Sequence, residues 1–188
     1  LSAPHHWVSH PTVWPQPFPI LARLAPETTS IRLMTLVLLL PLLNPLDVAE
    51  QVATLDHISH GRFTLGAAIG YRDAELEAVG LTRKDRVPKL EESLILMKRL
   101  WSGEEVTFEG RYTSVKGVRM GFTPMQSPHP PIVMGAQSEG AASRAGRLAD
   151  GVFFGPQVAW ADIKRLAEAY RAARGEAGKP GPGILGAS

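Results

Sequence analysis

Cysteine is missing from the chain, although the sequence runs to 188 residues. Its absence excludes disulfide bonds and thiolate metal ligands, so a packed core has to provide the stability. Apolar residues make up 44% of the sequence and charged residues 20%, which is typical of globular domains. The length suits one hydrophobic core. We therefore expect residues 1–188 to form a single domain.

The sequence also has no long apolar run and no excess of one charge. The longest apolar candidate, "IRLMTLVLLLPLLNPL", is interrupted by Pro41 and Pro45, so we expect no membrane partner. Basic residues are scattered and the net charge is +2, which gives no electrostatic case for nucleic acid. No signal peptide is visible, and we expect a cytoplasmic protein that binds a small-molecule substrate. Because the chain begins with Leu1, we also expect the natural N-terminus to lie upstream.

Apolar runs of strand length alternate with amphipathic stretches of helix length along most of the chain. The strands are predicted at 31–40, 62–70, 130–136 and 151–156, with a fifth beginning near 183. Helices are predicted at 44–60, 87–102, 138–150 and 160–178. This alternation indicates an α/β fold with parallel strands and right-handed crossovers. Residues 1–19 are rich in proline and predict a rigid loop, while 105–120 predict a β-hairpin with turns at Gly110 and Gly117.

The helix predicted at 44–60 carries recognisable boundary signals. Asn44 is suited to the N-cap, Pro45 to the first helical position and Asp47 to the first turn, and Gly61 follows the end. Its expected apolar face consists of Leu46, Ala49, Val52, Ala53 and Ile58. The next long helix should bury Leu90, Leu94, Met97 and Trp101.

Two architectures fit this order of elements: an open doubly wound sheet and a (β/α)8 TIM barrel. Both place functional residues at the carboxyl ends of the strands. A complete barrel takes roughly 250 residues, and four or five units do not close one. The barrel interpretation therefore requires an incomplete barrel.

The end of the strand at 130–136 gives the clearest chemical signal. Gly135, Ala136, Gln137 and Ser138 lead directly into a helix, and free N–H groups at a helix N-terminus favour a phosphate. Ser138 is equally suited to a purely structural N-cap, since serine is common there. The segment "GAAIGY" is not a dinucleotide-binding fingerprint.

Other polar residues suggest less. The histidines His5, His6 and His10 lie in the opening loop without a nearby carboxylate, so we expect them to pack or to face substrate rather than to bind a metal. The acidic residues after the second strand, Asp73, Glu75 and Glu77, are interpreted as the solvated start of a short helix rather than as catalytic carboxylates. The four tryptophans, Trp7, Trp14, Trp101 and Trp160, are expected to pack, the first two in a loop suited to covering a site.

Three segments together resemble the bacterial luciferase-like oxidoreductases, which are flavin- or deazaflavin-dependent TIM-barrel enzymes. The segments are "NPLDVAEQVATLDHISHGRFTLGAAIGYRDAELEAVG", "RVPKLEESLILMKRLWSGEEVTFEGRYTSVKGV" and "PPIVMGAQSEGAASRAGRLADGVF", and the resemblance covers about residues 20–160. It implies an incomplete barrel of about strands three to six with parts of the flanking units. It also implies a homodimer.

The resemblance further implies a flat redox ring at the carboxyl rim of the barrel, with its phosphate at a helix N-terminus. Gly66 and Gly70 would allow close approach of the cofactor, Tyr71 would line it, and Arg72 would offer charge. The phosphate would lie on Gly135–Ser138. The family often carries a non-prolyl cis peptide on the first of these strands, which places it among Thr35, Leu36 and Val37.

The sequence departs from the family pattern in two places. Ile69 stands where flavin-using members often have an arginine, which favours coenzyme F-420, a deazaflavin, over FMN. The chain is also expected to start after the second barrel strand, so that the acidic or histidine residue at that strand's end would precede Leu1. Three functions therefore remain open: deazaflavin-dependent hydride transfer, an FMN-dependent monooxygenase acting with O2, and a non-catalytic barrel fragment.

Overall fold

The computed structural model describes residues 1–7 and 11–187. The strands are β1 (Ser2–Ala3), β2 (Leu33–Thr35), β3 (Leu38–Leu39), β4 (Phe63–Ala68), β5 (Val106–Glu109), β6 (Ser114–Val118), β7 (Ile132–Ala136), β8 (Gly151–Phe154) and β9 (Ile184–Ala187). The α-helices are α1 (Pro17–Leu24), α2 (Pro45–Ile58), α3 (Asp73–Glu77), α4 (Arg86–Trp101), α5 (Glu139–Leu148) and α6 (Trp160–Glu176). Short 3₁₀ helices cover Ala25–Glu27 and Leu40–Leu42.

One parallel sheet organises the molecule, in the order β1-β2-β4-β7-β8-β9, with β3 also paired to β4. Every neighbouring pair in this sheet is parallel, as the alternation of strands and helices predicted. Parallel pairing brings all carboxyl ends to one edge, and this edge, which we call the rim, is where a site is expected.

The core lies between the sheet and the helices. The inner strands β4, β7 and β8 bury nearly all their side chains, as strands covered on both faces do. Helices α2 and α4 pack side by side, and the Trp101 indole N–H donates to the Ala49 carbonyl at 3.1 Å. The predicted inner face of α4 is confirmed, since Leu90, Leu94, Met97 and Trp101 are all buried.

Helix α2 begins as its sequence predicted. The Asn44 side chain accepts a hydrogen bond from the Leu46 N–H at 2.9 Å, and Pro45 occupies the first turn. The predicted apolar face is wrong at Ile58, which is the last residue of α2 and is 43% exposed.

The opening segment differs from the predicted loop at both of its ends. Ser2 and Ala3 pair in parallel with Met34 and Thr35, and α1 already begins at Pro17. A two-residue strand has no periodicity, so the sequence offered no signal for it. The expectation that the end of the preceding barrel strand would lie before Leu1 is therefore wrong: β1 is that strand, and His5 follows it closely.

Strands β5 and β6 form the antiparallel hairpin, with Gly110–Thr113 at its tip. The prediction of a turn at Gly117 is wrong, because this residue lies inside β6. Its φ of 61° is a left-handed conformation that favours glycine, and the register of the hairpin is irregular nearby.

The amino edge of the sheet carries a group of cations on the last carbonyls of α5. Lys179 and Arg174 donate to the Ala149 carbonyl, at 2.8 and 3.3 Å, and Lys98 donates to that of Leu148. Cations are favoured at a helix C-terminus. No helix among the described residues combines the length and apolar character that a membrane crossing requires.

We expect stability to rise with pH because of Lys179. Burial, assisted by the positive charge of Lys98, lowers the pKa of Lys179 from 10.5 to about 8. Between these values the unfolded chain binds more protons than the folded one, so the free energy of unfolding should increase with pH. Chemical denaturation across this window should show a flatter slope for Lys179→Met, while Lys164→Met, at an exposed lysine of α6, should keep the parent slope. Equal slopes in all three proteins would refute the assignment.

Candidate functional site

The ends of three neighbouring strands meet at the centre of the rim. A methyl group placed on Gly135, in β7, would lie 3.6 Å from the Ala68 Cβ of β4 and 3.8 Å from the Val37 Cγ1. Two of the predicted site segments, 35–37 and 135–138, therefore lie against each other across β4. We call Val37, Ala68 and Gly135 the strand-end cluster.

A cis peptide bond joins Leu36 to Val37, as the family resemblance predicted. It separates β2 from β3, so the single strand predicted at 31–40 is in fact two short strands followed by a 3₁₀ helix. Both pieces pair with β4 and form one position across the sheet.

Thr35 and Gly66 form a closed, buried contact beneath the strand-end cluster. The Thr35 hydroxyl donates to the Gly66 carbonyl at 2.8 Å and accepts from the Gly66 N–H at 2.9 Å. A Cβ on Gly66 would lie 1.9 Å from the Thr35 carbonyl oxygen. We expected a glycine at this position to allow close approach of a cofactor. In the structure, the absence of a side chain at Gly66 makes room for Thr35 instead.

Gly70, Tyr71 and Arg72 connect β4 to α3. Gly70 has a φ of 76°, which favours glycine. Tyr71 is 65% exposed, and its ring lies edge-on to that of His6 with 5.6 Å between centroids. The Arg72 guanidinium donates to the Trp7 carbonyl at 3.2 Å, so this charge is directed at the opening loop.

The N-terminus of α5 is open. Ser138 caps the helix by accepting from the Ala141 N–H at 3.3 Å, which confirms its structural role. Gln137, Ser138 and Glu139 are exposed, and a methyl group on Gly140 would have no atom within 4 Å. Backbone N–H groups in the first turn of a helix lack intrahelical acceptors. This end of the rim offers space and donors for an anion.

Buried polar groups lie where the opening loop meets the rim. His5 is 1% exposed, and its Nδ1 accepts from the Leu39 N–H at 3.2 Å. Its Nε2 is buried and has no hydrogen-bond partner among the described residues. Burial lowers the pKa of His5 below its ordinary value, although the charge of Glu75 opposes the effect. A buried N–H without a partner is costly, so this atom is suited to a bound molecule.

The prediction that Glu75 belongs to the solvated start of a helix is wrong. Glu75 is 1% exposed, and its Oε1 lies 2.8 Å from the Trp7 N–H and 3.0 Å from the His6 Nδ1. Asp73 and Glu77 of the same helix are exposed, as expected. The turn of α3 that faces the opening loop carries Glu75, and an acidic run alone does not show which member faces inward.

The packing predictions for two tryptophans have different outcomes. Trp160 is not a packing residue, since it is 78% exposed at the start of α6, whereas Trp101 is buried. His10 lies outside the described residues. Within those residues, no three histidine or acidic side chains are grouped so as to hold a metal ion.

The parallel strands all end at one rim, and the N-terminus of α5 is exposed there, as in an α/β fold with its functional edge at the carboxyl ends of the strands. The family model for luciferase-like monooxygenases matches residues 1–185, and the chain belongs to this family. An uncharacterized protein of Mycobacterium tuberculosis is 33% identical over 160 residues, which are 84% of this chain and 56% of that protein. The chain thus spans about half the length of the curated relatives it matches.

Solved structures show the same fold. The monooxygenase RslO1 from Streptomyces bottropensis superposes with a TM-score of 0.88 and 27% identity, over 98% of this chain and 58% of that one. An F420-dependent secondary alcohol dehydrogenase, in complex with an F420-acetone adduct, superposes with a TM-score of 0.86 and 21% identity, over 98% of this chain and 57% of that one. A type II Baeyer-Villiger monooxygenase of Pseudomonas putida, in complex with FMN, superposes with a TM-score of 0.82 and 23% identity, over 96% of this chain and 53% of that one. The curled parallel sheet is therefore part of a TIM barrel of the luciferase-like type.

Proposed function

We propose that the chain forms the cofactor-binding part of an oxidoreductase that transfers hydride with coenzyme F-420. The observation that carries this proposal is the open N-terminus of α5 directly after the strand-end cluster. It joins an anion site, at residues 137–140, to a surface of small side chains at Val37, Ala68 and Gly135. A flat ring with a phosphate tail fits both features at once.

FMN is the alternative cofactor, and it would make the protein a monooxygenase. The solved neighbours include an F420-dependent enzyme and an FMN complex, so the shared fold accommodates both. Ile69 favours the deazaflavin, because flavin-using relatives often place an arginine at this position. The Arg72 guanidinium does not replace that charge, since it is directed at the Trp7 carbonyl and Glu75.

The residues of this chain have clear tasks in such a reaction. Backbone N–H groups of residues 138–140 would bind the phosphate, and Val37, Ala68 and Gly135 would support one face of the ring. His5 would donate a hydrogen bond to the bound ring or to a small substrate. The cofactor supplies the hydride chemistry when bound, and the protein supplies orientation and exclusion of water.

Gly140→Ala tests the anion site without disturbing the fold. The added methyl meets no protein atom, and alanine is favoured over glycine in a helix by up to about 1 kcal/mol, so the variant should be at least as stable as the parent. It would, however, stand where the phosphate approaches. Titration with F-420 and with FMN, followed by absorbance and fluorescence, should show affinity for the true cofactor reduced about tenfold or more, as loss of at least 1.4 kcal/mol implies.

Gly175→Ala is the matched control, since this glycine of α6 also has free space around it. It should gain stability similarly and keep the parent affinity. Ser138→Ala removes the N-cap and should weaken both cofactor binding and the helix, by about 1 kcal/mol for the cap. If the parent binds neither cofactor, the chain is the non-catalytic barrel fragment; if Gly140→Ala binds as well as the parent, the phosphate lies elsewhere.

A further inference from the structure

Two consecutive histidines, His5 and His6, follow β1 and are held by different kinds of partner. The His5 Nδ1 faces a main-chain N–H, that of Leu39, at 3.2 Å. The His6 Nδ1 faces the carboxylate of Glu75, at 3.0 Å from Oε1 and 3.3 Å from Oε2. A main-chain N–H can only donate, so the His5 Nδ1 must accept. A carboxylate accepts from an imidazole N–H, so the His6 Nδ1 should carry a proton and donate.

The surroundings of Glu75 support its role as an acceptor. Its Oε1 also receives the Trp7 N–H at 2.8 Å, and the Arg72 guanidinium lies 3.5 Å away. Both neighbours are donors, so a proton on this carboxyl would face donors rather than an acceptor. Its side chain is only 2% exposed, which makes water a poor competitor for its oxygens. The proton between Glu75 and His6 therefore belongs on the His6 Nδ1.

We propose that Glu75 is a positioning residue that holds His6 with its proton on Nδ1 and its lone pair on Nε2, while the Leu39 N–H holds neutral His5 in the opposite tautomer. The rim then carries two adjacent imidazoles of different function: His5 presents an Nε2–H donor, and His6 presents an Nε2 acceptor. The partner of a ring nitrogen commonly fixes which tautomer a functional histidine adopts.

The chemical use of this pair rests on the proposed function. The acceptor can take a proton from a substrate hydroxyl while hydride leaves the carbon that bears this hydroxyl. In the reverse direction it returns the proton to the carbonyl oxygen while hydride adds to the carbonyl carbon. The rings of Trp14 and Tyr71, whose centroids lie 5.5 and 5.6 Å from that of His6, flank the imidazole and limit its rotation. Glu75 would then act through His6 without touching the substrate.

Nitrogen NMR of the histidine-labelled protein tests the tautomers directly and needs no cofactor. At about pH 9, where ordinary histidines are neutral, we expect His6 to show a protonated Nδ1 and an unprotonated Nε2, and His5 the reverse. The signals are assigned by their loss in His5→Gln and His6→Gln. Glu75→Gln, which adds a donor and removes the charge, should shift His6 toward the Nε2–H tautomer. Glu77→Gln, two residues along the same helix and exposed, should leave both rings unchanged.

The outcome for Glu75 can be separated from the outcome for the proposed function. An Nε2–H tautomer for His6 in the parent protein, or an unchanged His6 in a folded Glu75→Gln variant, would overturn the positioning role. If the tautomers are as expected but the parent binds neither F-420 nor FMN, the proposed function fails and the positioning role stands. With an active protein, Glu75→Gln should lower kcat about 10²-fold with little change in KM, as loss of a positioned proton acceptor implies.

Discussion

Replacing Gly66 by alanine is expected to lower the free energy of unfolding by about 3 kcal/mol or more, or to prevent folding altogether. The new Cβ would lie 1.9 Å from the Thr35 carbonyl oxygen and 3.0 Å from the Met34 Cε. The first of these neighbours is backbone inside the sheet and cannot move without separating β2 from β4. That movement would also break the two hydrogen bonds of the Thr35 hydroxyl with Gly66. Chemical denaturation followed by circular dichroism measures the loss.

Gly121→Ala is the matched control for this change. Gly121 lies in an exposed loop without left-handed backbone, and a methyl group there would meet no atom within 4 Å. Its stability should stay within about 0.5 kcal/mol of the parent, as is usual for surface substitutions. A Gly66→Ala protein as stable as Gly121→Ala would show that β2 and β4 are not as closely paired as described.

A second variant separates crowding from lost hydrogen bonds at the same place. Thr35→Val keeps the volume of the side chain and removes only its hydroxyl, leaving the Gly66 N–H and carbonyl without this partner. The expected loss is smaller, about 1–3 kcal/mol for the unsatisfied groups. Because the strand-end cluster begins at Val37, two residues after Thr35, both variants should also weaken binding of the proposed cofactor.

The parts of the fold that the sequence predicted correctly are those controlled by neighbouring residues. The cap of α2 at Asn44 and the cap of α5 at Ser138 need only a few consecutive residues, and both are confirmed. The parallel strands follow from apolar runs separated by helices. The cis bond at Leu36–Val37 came instead from resemblance to a family, since no local pattern in "MTLVL" requires it.

The parts that could not be predicted depend on residues distant in the sequence. Glu75 is separated by 69 residues from His6, its partner, and an acidic run before an apolar residue is usually solvated. Gly66 has no room for a Cβ because it contacts Thr35, which lies 31 residues earlier. The sequence of the strand does not show whether such a glycine accommodates a cofactor or another part of the protein. Short elements such as β1 are equally invisible, because two residues show no alternation. The sequence therefore predicts at which edge of the sheet a site is expected, but not which polar groups meet at that edge.

The main chain at the tip of the hairpin is bound by the carboxylate of Glu92, in α4, while Asp85 binds the side chains of Arg111 and Tyr112. The Glu92 oxygens accept from three consecutive main-chain N–H groups, those of Arg111 at 2.7 Å, Tyr112 at 3.0 Å and Thr113 at 2.7 Å. Gly110 is required next to them, because a Cβ there would lie 2.4 Å from the Glu92 Cδ. The segment "FEGRYT" is thus the backbone receptor for a carboxylate located 18 residues earlier than Gly110.

This contact also supports the rim. Tyr112 packs against a small apolar cluster consisting of Leu39, Leu42, Leu76 and Leu81. Leu39 belongs to β3, directly after the cis peptide, and Leu76 to α3, directly after Glu75. Release of the hairpin tip would therefore loosen the packing beneath β3, next to the strand-end cluster, and beneath α3, which carries Glu75.

Glu92→Ala is expected to lower the free energy of unfolding by about 2–4 kcal/mol, because it removes three charge-assisted hydrogen bonds whose donors then depend on water. Glu92→Gln keeps an acceptor oxygen and should lose about half as much. Limited proteolysis with trypsin should cut Glu92→Ala after Arg111 much faster than the parent, since the tip is no longer held. The rate of this cut and the denaturation midpoint are the two measurements.

Glu91→Ala is the control on the adjacent residue of the same helix. Glu91 makes a partly exposed ion pair with Arg144 at 3.0 Å, and such pairs contribute about 0–1 kcal/mol. It should therefore change neither the cleavage after Arg111 nor the stability by more than this amount. If Glu91→Ala and Glu92→Ala prove equally stable and equally resistant, the hairpin is held by its packing and by the contacts of Arg111 and Tyr112 with Asp85, and the Glu92 carboxylate contributes no more than an ordinary surface charge.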